Sequence, residues 1–153
     1  MCGIAFLFDP SITKAESSER MATALQRMYH RGPDAQEKWQ KGSATVGHVR
    51  LSIVDLSGSR QPMHSPNGRY TLTFNGEIYN YQELKDSLAS RWRFKTKGDT
   101  EELLAGLILE GEGFVTRLEG MWAFLLWDVE QQCALFSRDR TGKKPLFYTT
   151  EQA

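Results

Sequence analysis

Met1-Cys2-Gly3-Ile4-Ala5-Phe6-Leu7-Phe8-Asp9-Pro10-Ser11 opens the chain. Gly3 to Phe8 is a short apolar run that predicts a buried strand, and Asp9-Pro10-Ser11 is the turn signal that closes it. Cys2 stands at the strand's entrance. Its small side chain should permit removal of Met1, which would leave a thiol and a free α-amine on one residue, a nucleophile with its own base. An ordinary thiol, with a pKa near ~8.5, is only a few per cent thiolate at neutral pH, and an α-amine near ~8 can take up its proton without a histidine. By itself the position reads equally well as a small buried hydrophobe at the start of a strand, and the rest of the chain has to decide.

Downstream, Ala15, Ala22, Leu25, Met28 and Tyr29 form a partial helical stripe with Ser17, Ser18, Glu19 and Arg20 outside it, which predicts a helix from about 15 to 29. Arg31-Gly32-Pro33-Asp34 stops it. Val46 to Val54 and Tyr70 to Phe74 predict strands, the second alternating Tyr70, Leu72 and Phe74 with Thr71 and Thr73. Asn80 and Glu83 have capping-box spacing ahead of a helix to about Ser90 that carries Leu84 and Leu88. A further helix follows Gly98-Asp99-Thr100, with Leu103, Leu104, Leu107 and Ile108 on one face and Gly111 and Gly113 at its end. Trp122 to Val129 and Cys133 to Ser137 complete the strands. This order is neither alternating βαβ nor all-β, and predicts an α+β layered domain.

With 153 residues, 40% of them hydrophobic, the chain is long enough to bury a core. Its 19 basic and 19 acidic residues balance to zero, with no long run of one sign, so neither nucleic acid nor an anionic membrane surface is an expected partner. Two cysteines, Cys2 and Cys133, make no disulfide framework, and Asp9 interrupts what would be the apolar core of a secretory signal. No stretch reaches the roughly 18 uncharged apolar residues of a membrane span, and Gly3 is one place late for myristoylation. A cytoplasmic protein is expected. Cys133, beside Ala134, Leu135 and Phe136, reads as an inert core thiol.

Sharper motifs join Cys2: His30-Arg31-Gly32-Pro33-Asp34, Arg50-Leu51-Ser52-Ile53-Val54-Asp55, Gln61-Pro62, Phe74-Asn75-Gly76-Glu77-Ile78-Tyr79-Asn80, Gly98-Asp99-Thr100-Glu101, and Arg138-Asp139-Arg140 with Gly142-Lys143-Lys144-Pro145-Leu146. In this order and over the whole chain they resemble a class II glutamine amidotransferase, the glutaminase part of glutamine-dependent asparagine synthetase. Amidotransferases that make glucosamine phosphate or phosphoribosylamine share the Cys start and the Asn-Gly pair. Pro33, the run 52–55 and Glu77-Ile78-Tyr79-Asn80 look like the asparagine synthetase branch.

The resemblance implies the four-layer αββα sandwich of N-terminal-nucleophile hydrolases, with residues 1–153 as the N-terminal portion of the glutaminase domain, incomplete at the C-terminus and leaving a sheet edge prone to association. It implies hydrolysis of glutamine to glutamate and ammonia through a Cys2 thioester, with Asn75 and Gly76 holding the oxyanion. Without that context Asn75-Gly76 reads as a hairpin turn. Arg50, Glu77 and Asp99 match the family's substrate positions: a guanidinium can grip the α-carboxylate bidentately, and the two carboxylates suit the α-ammonium. Alone, Arg50 could be a surface residue at a strand end, Glu77 a solvated turn residue and Asp99 a helix N-cap. Main-chain groups of Leu51, Ile53 and Val54 correspond to further substrate contacts.

No metal is expected here. His30, His48 and His64 are too dispersed for a zinc pattern and read as structural. Gly142-Lys143 resembles a phosphate loop, but Ser137 stands where the first Gly is required. ATP and Mg are expected only in a C-terminal synthetase domain of the same polypeptide, which would receive the ammonia and amidate aspartate; a homodimer is also open. The competing readings are a glutaminase of the sugar-phosphate or phosphoribosyl branch and an inactive amidotransferase-like module. The 138–146 stretch reads as a structural turn, or, second, as a contact to the synthetase domain.

Overall fold

Alternation along the first strands divides them between a helix and a second sheet. In this computed structural model, which describes residues 1–51 and 60–150, β1 (Gly3–Phe8) pairs antiparallel with β3 (Ala44–Arg50), and β3 with β2 (Ala35–Lys41), in the order β1-β3-β2. Ala5 and Leu7 of β1 and Val49 of β3 pack against Met21, Leu25 and Met28 of α1 (Lys14–Met28). Residues of the other parity, Phe6 and Ala44, face Leu125 and Trp127 of the second sheet, and the Phe6 and Phe8 rings lie 5.4 and 5.3 Å from the Trp127 ring. Cys2 shares the parity of Phe6, so the strand that begins beside it turns its side chain toward the second sheet.

That sheet runs β4 (Met63–His64), β5 (Tyr70–Ile78), β6 (Gly120–Asp128) and β7 (Cys133–Arg138), all antiparallel. Its far face carries Leu72, Phe74 and Ile78 from β5 and Trp122, Phe124 and Leu126 from β6. These bury against Leu84 and Leu88 of α2 (Tyr81–Leu88) and Leu103, Leu104 and Leu107 of α3 (Asp99–Glu110). The result is helix, sheet, sheet, helices: the αββα sandwich expected from the resemblance. No helix among the described residues is long and apolar enough to cross a membrane.

Several local expectations are corrected. β5 continues four residues past Phe74, because Asn75, Gly76, Glu77 and Ile78 pair with Ala123, Trp122, Met121 and Gly120. Asn75-Gly76 is therefore strand and not a hairpin turn. Asn80 begins α2 without a side-chain cap. Its amide instead donates to Arg117 O and accepts from Glu119 N, both at 3.0 Å, fastening α2 to the segment that leads into β6. The capping box is at α1, where Glu16 N donates to Thr13 Oγ1 and Thr13 N donates to Glu16 Oε2. β2 gave little apolar signal because it is an edge strand whose alternate residues face solvent. Cys133 is exposed at the start of edge strand β7 and is not a core thiol. Ile53 and Val54, like the rest of 52–59, lie outside the described residues.

Phe124 is fully buried between β6 and the helices. Urea unfolding of Phe124→Ala should show a loss of about 3–5 kcal/mol, and Thr13→Ala, which removes only the α1 cap, about 1 kcal/mol.

Candidate active site

The first and second sheets meet in a cleft of about 460 Å³ whose lining includes Cys2, Arg50, Leu51, Asn75, Gly76, Glu77 and Asp99. β1 and β3 deliver the first group. Cys2 is half-buried, its Sγ within 3.7 Å of Leu51 O as donor and 3.5 Å of Leu51 N as acceptor. Arg31 Nε donates to Cys2 O at 3.2 Å. The segment after α1 also presses on the end of β3: Asp34 N donates to Arg50 O, and a Cβ on Gly32 would lie 2.6 Å from Arg50 N and C. Only glycine allows that approach. The His30–Asp34 motif thus buttresses both Cys2 and the nearly buried Arg50.

β5 delivers the second group, and its edge chemistry decides what the cleft can do. Trp122 directs both main-chain groups to β7's side: Asp139 N donates to Trp122 O and Trp122 N donates to Asp139 Oδ2. Its partner across the β5–β6 ladder is Gly76. In an antiparallel pair of this kind the N–H and C=O of the opposite residue point the other way, so those of Gly76 point away from β6. β4 covers that edge of β5 only at Thr71 and Leu72. Beyond it, Phe74 N donates to Gln61 Oε1 at 2.6 Å, His48 Nε2 donates to Phe74 O at 3.3 Å, and Ile78 N donates to Asp99 Oδ2 at 2.9 Å. Between these served positions the Gly76 N–H opens into the cleft beside the buried Asn75. A side chain at 76 would collide with Met121 O, the Phe74 ring and Trp122 Cα.

Asp99 is the first residue of α3, after the cap residue Gly98, so the N-cap alternative does not hold. Burial pushes its carboxyl up to about 6 against the Ile78 hydrogen bond, with the neighbouring Glu77 carboxylate adding to the rise. Burial lowers His48 to about 4, so it is neutral at pH 7 while it serves the Phe74 carbonyl. His64 bonds Thr71 Oγ1 through Nδ1 at 3.0 Å. Both fit structural duty. No cluster of three or more His, Cys, Asp or Glu side chains suited to a metal ion occurs among the described residues.

Two cleft residues carried no individual assignment in the sequence. Gln61, quoted there only within Gln61-Pro62, is the acceptor for Phe74 N. Lys144, placed with a structural turn, is 5% exposed and lines the cleft, its Nζ 3.1 Å from Met1 Sδ. The turn itself is built on Asp139. Burial alone would raise this carboxyl, but N–H groups of Lys144 and Lys143 and the Thr141 hydroxyl hold it well below the ordinary range.

The family model for the glutamine amidotransferase domain matches residues 1–153. The chain belongs to that family. It is 39% identical to amidase chry2 of Gibberella zeae over 99% of this chain and 24% of that protein. It is 37% identical to the glutamine-hydrolysing asparagine synthetase 3 of Bacillus subtilis over 99% of this chain and 25% of that protein. The amidotransferase domain is also similar to a solved structure, the glutamine phosphoribosylpyrophosphate amidotransferase of B. subtilis complexed with ADP and GMP. There the TM-score is 0.54 and the identity 27%, over 67% of this chain and 24% of the other. The chain spans about a quarter of the length of the curated relatives it matches.

Asp99 gives this cleft a testable energetic signature. Its folded pKa of about 6 lies above the ordinary 3.8, so the native state holds the proton more tightly and ionisation costs stability as pH rises between those values. Asp99→Asn keeps an acceptor for Ile78 N and removes that cost. Thermal or urea unfolding should find it more stable than the parent by about 1–3 kcal/mol at pH 8 and close to it at pH 3.5.

Proposed function

We propose that this domain hydrolyses glutamine to glutamate and ammonia with Cys2 as nucleophile once Met1 has been removed. The observation that carries this reading is the Gly76 N–H aimed into the cleft beside Asn75, in the same cavity as Cys2. A nucleophile facing a main-chain donor and a side-chain amide is the equipment of acyl transfer through a tetrahedral intermediate. Family membership supplies the substrate class.

The steps follow from these groups. The Cys2 α-amine takes the thiol proton, and Sγ attacks the side-chain amide carbon of glutamine. The carbonyl electron pair moves onto oxygen, where Asn75 Nδ2 and Gly76 N–H donate to it. Collapse breaks the C–N bond, the leaving nitrogen takes the proton from the α-amine, and ammonia departs. Water, giving its proton to the same amine, then attacks the thioester, and cleavage of C–S frees glutamate and returns the proton to sulfur. Arg50 pairs with the α-carboxylate, and Glu77 with Asp99 pairs with the α-ammonium. The main chain of Leu51 faces Cys2 and is assigned to substrate positioning. Ile53 and Val54 keep the same assignment from the resemblance alone.

The ammonia is proposed to pass to a synthetase domain of the same polypeptide that amidates aspartate, with residues 1–153 as the N-terminal portion of the glutaminase domain. Similarity to the B. subtilis asparagine synthetase at 37% identity over 99% of this chain supports this branch. ATP and Mg would serve the synthetase domain, and no step above runs through them.

Intact mass should show Met1 absent, and a glutamine-analogue electrophile should label Cys2. No labelling of a chain with a free N-terminal Cys2 would refute the nucleophile assignment. Asn75→Ala should lower kcat about 100- to 1000-fold with little change in KM. Because Asp99 ionises at about 6, the KM for glutamine should rise as the pH falls below that value.

A further inference from the structure

Lys144 is a nearly buried ammonium with a poor partner. It is 5% exposed, its main-chain N–H is fixed on Asp139 Oδ2 at 2.9 Å, and its Nζ reaches Met1 Sδ at 3.1 Å. A thioether is a weak acceptor, and a cation withdrawn from water needs a strong or anionic one. Resting on the function proposed above, removal of Met1 would take this acceptor away. It would leave the ammonium facing the cleft that Cys2 also lines, where the side-chain amide carbon of the ligand reacts.

The cleft's charges show what could occupy that position. Arg50 offsets the α-carboxylate, and the acidic pair Glu77 and Asp99 serves the α-ammonium, so glutamine brings no charge at its side-chain end for Lys144 to meet. Glutamate brings one more negative charge, on the group born beside Cys2 when the thioester is cleaved. We infer that Lys144 holds the γ-carboxylate of product glutamate, making this a site that retains its product and is inhibited by it. A charge-assisted hydrogen bond with both partners shielded from water strengthens product binding without a matching gain for the neutral amide of glutamine.

The test is calorimetric titration with glutamate and with glutamine, in the full chain lacking Met1 and carrying Cys2→Ala so that neither ligand reacts. The parent should bind glutamate at least as tightly as glutamine. Lys144→Met should weaken glutamate by about tenfold and glutamine by less than about twofold, while Lys144→Arg keeps the parental ratio. Lys144→Gln serves as a second neutral variant. Equal weakening of both ligands, or of neither, overturns the role of Lys144, as does a parent that binds glutamine but not glutamate. A parent that binds neither overturns the glutaminase function as well.

Discussion

The pairing of Gly76 with Trp122 is the constraint on which the cleft depends. Because Trp122 gives its N–H and C=O to Asp139, β5 must present the main-chain groups of every second residue to its opposite edge. A full-length β4 would consume them all. Instead β4 is two residues long, and side chains from β3, α3 and the segment before β4 serve the exposed edge: His48, Asp99 and Gln61. An edge N–H left open between served neighbours is a fixed dipole with its orientation already set by the ladder. Electrostatic stabilisation of a developing charge requires that the donor be in place before the charge appears. The register of two strands therefore sets a donor in place, and Gly76 is confined to glycine by the same register, since Met121 O fills the space a side chain would need.

Charge is handled differently inside the cleft and outside it. Glu101, next to the helix start, accepts from Trp92, Lys95 and Thr96, and donor geometry alone keeps it ionised despite burial. Glu102 has a lysine partner, Lys85 Nζ at 2.8 Å, for one oxygen. Asp99 is raised by its burial and by the like-charged Glu77, against donors from Ile78 N, its own N–H and the Thr100 hydroxyl. Such under-compensation is unfavourable for folding and favourable for binding a cationic group, because a ligand ammonium supplies the missing interaction. Lys144 has the same character with opposite sign. The Asp99 carboxyl is held in a state that a ligand ammonium would relieve, whereas outside the cleft Glu101 is served by its donors and Glu102 by Lys85 at one oxygen.

The layers of the sandwich were legible where apolar periodicity was strong. The β1 run, the Leu-rich face of α3 and the aromatic β6 gave their elements and their faces directly. β2 was hidden because it is an edge strand with Gln36 and Lys38 on its exposed face, Glu37 on the other and only Trp39 as a clear apolar anchor. Asn80 misled because its spacing to Glu83 suits a local cap, while its amide is spent on a contact near Glu119 that no local pattern encodes. The cleft residues were legible through family resemblance and not through periodicity. Asn75-Gly76 by propensity is a turn, and only pairing with β6 makes it strand. Lys144 was obscured by its neighbours: Gly142 has the positive φ of a turn, and nothing local indicates that the second of two lysines folds inward to the far end of the chain.

On the proposed reading, the preparation of Cys2 as nucleophile would be covalent and would need no conformational step. The ladder beginning at Gly3 and Val49, the Arg31 contact to Cys2 O and the Leu51 contacts to Sγ all lie on the Cys2 side of the Met1–Cys2 bond. Met1 itself is 54% exposed, which leaves its peptide bond approachable, and its one described side-chain hydrogen-bond contact is to Lys144. Cutting that bond would leave every anchor of Cys2 intact and alter two things, the appearance of an α-amine on the residue that bears the thiol and the exposure of Lys144 to the cleft. Base and γ-end cation would thus arise together from one cleavage, in a pocket whose walls are already set by the strands.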